Sequence, residues 1–223
     1  MDIIKKLAQE LTIKEEQAKA AVQLIDEGNT IPFIARYRKE MTGALNDETL
    51  RNLHERLLYL RNLEEKKEQV INAITEQGKM TDDLKKKILA AETLVAVDDL
   101  YRPYRPKKQT RATKAKEKGL EPLANILLLQ ATSKSMEEEA QSFVDEAKGV
   151  TNAKEALAGA KDIIAEMIAD KADYRKSIRN CTMKQGRLVV KAKDEKAESV
   201  YEMYYDFSEE LSKITGYRVL AIN

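Results

Sequence analysis

The fold is decided by residues 46–78, NDETLRNLHERLLYLRNLEEKKEQVINAITEQG, the longest uninterrupted helical pattern in the chain. Asn46 can cap the start of this helix and Gly78 can end it. Glu64 and Lys67 interrupt its apolar stripe, so the pattern predicts a helix packed within a bundle rather than a coiled coil. The stripe itself consists of leucine and isoleucine at helical spacing: Leu50, Leu53, Leu57, Leu60, Ile71 and Ile74.

Composition extends the helical prediction to nearly the whole chain. Glycine and proline, the residues that most often end helices, number only 8 and 4 among 223 residues. A helix of about 30 residues is about 45 Å long, which equals the diameter of a compact globule of this size. We therefore predict an all-α, elongated, multihelical array.

The region before the long helix predicts three short helices. The first covers residues 2–11, and the second begins with Thr12 as its cap, paired with Glu15, and runs to Glu27. Pro32 suits the first turn of the third helix, PFIARYRKE. We expect residues 1–45 to form a helix-turn-helix-like unit.

Two further regions follow in this prediction. Residues 46–185 form a multihelical domain, and residues 186–223 are the truncated start of the next region. The helices in the domain begin at Thr81, Thr93, Pro122, Ser135 and Asn152, and the last one continues or kinks as far as Met183.

Strand patterns are scarce in this sequence. RLVVKAK, residues 187–193, is the one convincing strand, and SVYEMYYDF, residues 199–207, has the spacing of a helix with an aromatic face. We therefore expect at most one small strand pair.

The sequence offers little for catalysis or metal binding. His54 is the only histidine, Cys181 is the only cysteine, and no glycine-rich phosphate loop is present. The Asp98–Asp99 pair is better explained by an ion pair with Arg102 or Arg105 than by acid–base chemistry. We predict no catalytic residue, no metal site, no cofactor and no enzymatic activity.

Charge and hydropathy also limit the location and the partners. Lys and Arg total 39 and Asp and Glu total 38, so only the distribution of charge is informative. A single cysteine fits a reducing compartment, and no apolar run of about 18 residues is present, so we expect a cytoplasmic protein without membrane contact.

The most uneven charge lies in RPYRPKKQTRATKAKEK, residues 102–118, called the basic segment below, with eight positive charges and one negative charge. Residues before proline disfavour the helix, so Pro103 and Pro106 predict an extended, exposed ridge. Cations there could contact phosphates while a tyrosine stacks on a base. The alternative is a connecting loop whose tyrosines pack inward and whose charges pair with acidic helices. The candidate nucleic-acid-binding residues are Arg102, Tyr104, Arg105, Lys107, Lys108, Arg111 and Lys114.

A second cationic group lies in the third helix, where Arg36, Arg38 and Lys39 could enter a nucleic-acid groove. The alternative is that Phe33, Ile34 and Tyr37 pack on the long helix while the cations are solvated.

Three long runs carry a family resemblance: EGNTIPFIARYRKEMTGALNDETL (27–50), RLLYLRNLEEKKEQVINAITEQGKMTDDL (56–84) and LYRPYRPKKQTRATKAKEKGLEPLA (100–124). They resemble the N-terminal region of the Tex family of bacterial transcription accessory proteins. The resemblance implies further domains that this sequence lacks: a RuvC-like nuclease fold, helix-hairpin-helix elements and a C-terminal OB-fold that carries most of the RNA affinity.

The resulting prediction is a non-catalytic module that makes weak, sequence-independent contacts with RNA or DNA and positions other domains. One alternative is a scaffold that docks on RNA polymerase or on downstream domains without touching nucleic acid. Another is a helix-turn-helix DNA reader that uses residues 12–40.

Overall fold

The computed structural model describes residues 2–106, 109–194 and 196–223. These residues form twelve α-helices and one antiparallel strand pair, which confirms the predicted all-α class. The chain divides into two compact units, Met1–Tyr104 and Arg105–Asn223.

The first unit is built around the long helix predicted from residues 46–78. Asn46 caps it by accepting a hydrogen bond from the Thr49 amide, and Gly78 follows its end with a positive φ of 66°. The helices of this unit are α1 (Ile3–Leu11), α2 (Glu15–Asp26), α3 (Ile31–Tyr37), α4 (Asp47–Glu76), α5 (Asp82–Ala90) and α6 (Leu94–Tyr101), followed by a 3₁₀ helix (Arg102–Tyr104).

The leucine stripe of α4 forms the core of the first unit. Leu50, Leu53, Leu57 and Leu60 are buried against α1, α2 and α3, where they pack with Leu7, Leu24 and Ile34. Burial of one leucine side chain contributes about 1.5–3 kcal/mol, so this stripe supplies much of the stability of the unit.

The predicted cap of α2 is wrong. Thr12 instead ends α1 in the left-handed conformation, with φ of 54°, and its amide donates to the Ala8 carbonyl. The helix starts at Glu15, after Lys14, whose amide donates to the Gln17 side chain at 3.1 Å. Thr12 was predicted to cap α2, but its amide instead makes the hydrogen bond that ends α1.

The stripe of α4 continues through the interruption predicted at Lys67. This lysine is 3% exposed and lies within a second core formed by Leu63, Val70 and Ile74 with α5 and α6. Its ammonium group donates to Glu64 Oε1 at 2.8 Å and to the Leu89 carbonyl at 2.9 Å. Burial of a charge requires such partners, and the lysine therefore ties α4 to the end of α5.

Ion pairs also join α1 to α4. Arg56 Nε donates to Glu10 Oε2 at 2.5 Å, and Arg56 Nη2 donates to Glu10 Oε1 at 2.8 Å. The hydrogen bonds from Arg56 hold the pKa of Glu10 below its ordinary value, against the burial that would raise it.

The second unit has a core of its own around one helix of 17 residues. Ala156, Ala160 and Ile163 of that helix pack with Leu120 and Leu123. The helices here are α7 (Arg111–Glu117), α8 (Glu121–Leu129), α9 (Met136–Gln141), α10 (Ala153–Ala169), α11 (Ala172–Gln185) and α12 (Gly216–Ile222), with short 3₁₀ helices at Glu146–Lys148 and Glu202–Tyr204.

Close packing of α7 on α10 depends on Gly159. A Cβ atom at this position would lie 2.4 Å from Leu120 Cδ1 and 3.2 Å from the Ala115 Cβ. The absence of a side chain on α10 therefore leaves room for a buried leucine.

The end of the second unit differs from the sequence prediction. The predicted long helix breaks after Asp170 into α10 and α11. The predicted aromatic helix of residues 199–207 is wrong: only Glu202–Tyr204 is helical, as one 3₁₀ turn. Strand β2 (Asp206–Glu210) pairs antiparallel with β1 (Arg187–Lys191), which confirms the prediction of at most one small strand pair and satisfies backbone groups of both strands.

Among the described residues, no helix has both the length and the apolar character needed to cross a membrane.

Replacement of the buried Lys67 tests its role in the second core. We expect Lys67→Ala to lower the free energy of unfolding by roughly 2–4 kcal/mol, because it leaves the Leu89 carbonyl without its donor and opens space beside α4. Chemical denaturation followed by circular dichroism measures this loss. Lys66→Ala is the matched control, since Lys66 is 3.7 Å from Asp98 at the surface and its loss should cost less than about 1 kcal/mol. Equal losses in the two variants would contradict a structural role for Lys67.

Candidate nucleic-acid interface

The cations predicted to bind nucleic acid form two groups, one on α3 in the first unit and one in the basic segment, which begins in the first unit with Arg102 and continues in the second. The first is the end of α3, where Arg36, Arg38 and Lys39 are all exposed. We call the α3 patch six exposed cationic or apolar side chains along α3 and directly after it: Phe33, Arg36, Tyr37, Arg38, Lys39 and Met41.

The aromatic residues of the α3 patch face solvent, against the alternative that all three apolar residues pack on the long helix. Ile34 is fully buried, but Phe33 is 36% exposed and Tyr37 is 65% exposed. For Phe33 the reason is geometric, because successive residues lie about 100° apart around a helix, whereas Tyr37 is the last residue of α3. With Ile34 turned to the core, its neighbour Phe33 is directed away from it.

The side chains of the α3 patch contact one another. The rings of Phe33 and Tyr37 have centroids 5.3 Å apart, and the Arg38 guanidinium lies 5.0 Å from the Phe33 centroid. Arg38 Nη1 also donates to the Tyr37 carbonyl at 3.1 Å. These contacts hold one cation beside the two rings while most of the Tyr37 side chain stays accessible.

A pinned loop fixes the backbone that follows α3. The Gln17 side-chain amide donates to the carbonyls of Thr42 at 3.3 Å and Gly43 at 2.9 Å. The fully buried Thr42 hydroxyl donates toward the carbonyls of Arg38 and Lys39, both at 3.3 Å. The cations of the α3 patch therefore lie on a backbone with defined positions.

The sequence analysis did not identify Gln17 or Thr42 as residues that position this loop. Gly43, with its φ of 60°, is a signal for the turn, and a Cβ there would lie 2.7 Å from Gln17 Nε2. Nothing local links Gln17 to residues 25 positions further along the chain.

The charges of the α3 patch are incompletely neutralised. Within the described part of the chain, none of the three cations forms an ion pair. Two carboxylates, those of Glu27 and Glu40, do line the same cleft, which has a volume of about 590 Å³. Cations at a helix C-terminus also complement the helix dipole, which gives their position a structural reason as well.

The basic segment does not have the predicted extended form at its start. Arg102 has helical φ and ψ of −50° and −43°, and its amide donates to the Asp98 carbonyl. This hydrogen bond continues α6 into the 3₁₀ turn Arg102–Tyr104 and outweighs the bias that Pro103 imposes on the residue before it.

The tyrosines of the basic segment pack inward. Tyr101 and Tyr104 are half-buried against the second core, and the Tyr104 carbonyl accepts a hydrogen bond from Gln77 at 3.0 Å. Arg102 and Arg105 are exposed, and Lys107 and Lys108 lie outside the described residues. Tyr104 is thus unlike Tyr37, because part of its ring serves the core.

The second half of the basic segment forms α7, and several of its cations have partners. Arg111 lies 3.2 Å from Asp162, Lys116 lies 3.1 Å from Glu121, and Lys118 donates to the Gly149 carbonyl at 2.7 Å. Lys114 is exposed and has no ion pair among the residues described. The arrangement largely matches the alternative in which this segment pairs with acidic helices.

The residues considered for catalysis or metal binding, the Asp98–Asp99 pair, His54 and Cys181, lie in three different helices. Asp98 lies 3.7 Å from Lys66, and Asp99 is buried. His54 is half-buried at the edge of a cleft formed by α2, α3 and α4, and Cys181 is an exposed free thiol. No group of three or more His, Cys, Asp or Glu residues in the described chain is placed to hold a metal ion.

Fold and surface define an all-helical module with a cationic and aromatic patch in its first unit. Residues 1–75 match the model of the Tex-like protein N-terminal domain, and residues 131–222 match the Tex central region-like model. The chain belongs to the Tex family.

Relatives of this chain are longer proteins. It is 42% identical over 225 residues to the transcriptional accessory protein Tex of Neisseria gonorrhoeae, covering all of this chain and 29% of the relative. It is 43% identical over 222 residues to the protein tex of Bordetella pertussis, covering 99% of this chain and 28% of the relative. The human S1 RNA-binding domain-containing protein 1 is 30% identical over 232 residues, covering all of this chain and 23% of that protein. The chain thus spans less than a third of the length of these relatives.

Removal of the Gln17 side chain tests the pinned loop. We expect Gln17→Ala to lower the free energy of unfolding by about 1–2 kcal/mol and to speed hydrogen exchange in residues 38–45, because two backbone carbonyls lose their donor. Gln23→Ala on the same helix is the control, since Gln23 is exposed and its side chain donates to Glu27 at 3.0 Å rather than to the loop. If both variants behave alike, the loop does not depend on Gln17.

Proposed function

We propose that this chain is a non-catalytic module of a Tex-like transcription accessory protein, and that it makes weak, sequence-independent contacts with RNA or DNA. The observation that carries the proposal is the α3 patch, where Arg36, Arg38 and Lys39 are exposed and form no ion pair within the described chain. Phosphate groups supply the missing counter-charge.

The basic segment contributes less to this proposal than its sequence suggested. Arg111 shares its charge with Asp162, which lowers the field it offers to a phosphate. Lys114 remains as an auxiliary contact, together with the exposed Arg102 and Arg105. Lys107 and Lys108 stay in the proposal as predictions from the sequence.

The contacts are weak because the chain has no long-range field. Its net charge is +1, so attraction depends on local cations that are screened beyond about 10 Å at 0.1 M salt. Glu27 and Glu40 oppose phosphate in the same cleft. Non-specific complexes of this kind have dissociation constants of roughly 10⁻⁴ to 10⁻⁶ M.

The names of the relatives support this assignment. One relative is called a transcriptional accessory protein, and another is called an S1 RNA-binding domain-containing protein. We also assign the chain to the cytoplasm, because a free exposed cysteine is suited to a reducing compartment.

A second role, positioning other domains, is favoured by residues 164–222. In the described part of this stretch no side chain is buried, although it contains α11, the strand pair and α12. Large apolar side chains face solvent here, including Ile178 at 66% exposure and Leu220 at 81%. A two-stranded hairpin is marginal in water without a packing partner.

We assign this exposed apolar surface to the remaining part of a longer Tex-like polypeptide. The relatives named above are more than three times as long as this chain, and several large apolar side chains left exposed in one region favour a protein contact. Docking on RNA polymerase without any nucleic-acid contact is the competing function, and the two experiments below separate the possibilities.

Salt dependence tests the phosphate contacts. We expect the variant Arg36→Ala/Arg38→Ala/Lys39→Ala to flatten the slope of log K against log salt by about 2–3, since each lost phosphate contact is worth roughly 0.7–0.9. Fluorescence anisotropy with a labelled RNA and a labelled DNA measures the slope.

Two sets of variants serve as comparisons. Lys79, Lys85 and Lys86 are exposed lysines of the same unit without ion pairs in the described chain, so their replacement by alanine removes equal charge elsewhere. Replacement of Arg105, Lys107, Lys108 and Arg111 reports on the basic segment. An α3 variant with the slope of the lysine control would sink the proposal and leave the scaffold function.

Hydrogen exchange tests the docking surface. We expect the amides of α11 and α12 to exchange at least about tenfold more slowly when this chain replaces the matching 225 residues of the Neisseria gonorrhoeae relative than in the 223-residue chain alone. Amides of α1 and α2 are the internal control and should be unchanged. Equal rates in both proteins would contradict an intramolecular partner for this surface.

A further inference from the structure

The α3 patch combines an accessible aromatic ring with cations on both sides of it in sequence. Arg36 precedes Tyr37, and Arg38 and Lys39 follow it. From this arrangement, and resting on the proposed nucleic-acid contact, we infer that Tyr37 stacks on an unpaired base while the neighbouring cations contact phosphates. The ligand class is therefore single-stranded nucleic acid rather than duplex.

Accessibility of the ring is the first step. Tyr37 is 65% exposed, and its neighbour Phe33 meets it at a tilt of 45° rather than lying flat on it. The guanidinium of Arg38 is placed on Phe33, so the described contacts do not cover Tyr37 on every side. Every base has a flat face, so an open tyrosine accepts any of them and the contact is independent of sequence.

Rigidity of the patch is the second step. Gln17 and Thr42 fix the loop after α3, and Ile34 anchors the helix in the core. The ring of Tyr37 and the Arg38 side chain, which contact Phe33, and the fixed backbone lose less conformational entropy than a mobile loop would when a strand binds.

The ends of α3 argue against a duplex reader. Helix-turn-helix proteins contact base edges with the N-terminal residues of their recognition helix. Here that end consists of Ile31, Pro32 and Phe33, whose side chains carry no hydrogen-bond donor or acceptor. The cations lie at the opposite end, and a base inside a duplex would have to leave its stack to reach Tyr37.

Two carboxylates limit the affinity and provide a further test. Glu40 follows the cations directly and lines the same cleft as Glu27. Phosphate and carboxylate repel each other, so removal of the Glu40 charge should strengthen binding at low salt.

The experiment compares three ligands at one salt concentration: a single-stranded oligonucleotide, the same strand with abasic sites and a duplex. RNA and DNA versions of the single strand distinguish the two sources. We expect the 223-residue chain to bind the strand with bases about 10-fold more tightly than the abasic strand, and more tightly than the duplex.

Variants connect this preference to Tyr37. We expect Tyr37→Ala to weaken binding of the strand with bases by about 10-fold, to the level of the abasic strand, and to leave the abasic strand nearly unaffected. Tyr37→Phe, which restores the ring, should regain the affinity lost in Tyr37→Ala, and Glu40→Gln should bind every ligand more tightly. Leu58→Ala is the matched control, because Leu58 is an exposed apolar residue of the same unit outside the patch. Circular dichroism checks that each variant is folded.

The outcomes separate this inference from the proposed function. Equal binding of abasic strand, duplex and strand with bases, with no effect of Tyr37→Ala, overturns base stacking and leaves the phosphate contacts in place. Absence of binding to all three ligands overturns both, and it would direct attention to a protein partner for the α3 patch.

Discussion

The apolar stripe of α4 is the constraint on which the first unit depends. One half of this helix buries its leucines against α1, α2 and α3, and the other half buries Leu63, Val70 and Ile74 against α5 and α6. Lys67 lies on the same face and remains buried because a carboxylate and a backbone carbonyl satisfy its ammonium group. In the second unit α10 has the corresponding role, with alanines and Gly159 that let α7 and the residues after it approach closely. The short helices from α1 to α3, α5 and α6 can be stable because each packs against α4, and those from α7 to α9 because each packs against α10.

This arrangement also determines which surfaces remain open. Ile34 is the buried residue of α3, with Ile31 and Ala35 partly buried beside it, while Phe33 and Tyr37 remain exposed beside three cations. The cations of α7 have a different environment, because α10 brings Asp162 beside Arg111. Residue types in the two groups are alike, yet their electrostatic environments differ. That difference moves the weight of the proposed nucleic-acid contact from the basic segment to α3.

Residues 164–222 show that secondary structure and core formation are separate matters. Backbone hydrogen bonds define α11, the strand pair and α12, but no side chain in the described part of this stretch is buried. Relatives more than three times as long as this chain share the sequence, and a partner surface in such a polypeptide would complete the packing. The proposed contacts thus divide along the chain: nucleic acid at α3 in the first unit, and protein at the end of the second.

The sequence by itself determined the helices and most of their caps, including Asn46, Thr81 and Ser135, because these hydrogen bonds join residues three or four positions apart. The local structure predicted from the sequence was wrong at Thr12, at Arg102 and in residues 199–207. The amides of Thr12 and Arg102 donate to carbonyls of the preceding helix, and residues 206 and 207 pair with a strand. The sequence identified the candidate cations, but it could not show that Arg111 has a carboxylate partner and that Arg36 has none among the described residues. Only the tertiary structure decided which cations meet a carboxylate and which ring stays exposed, because those contacts join residues far apart in the chain, such as Gln17 with Gly43 and Arg111 with Asp162.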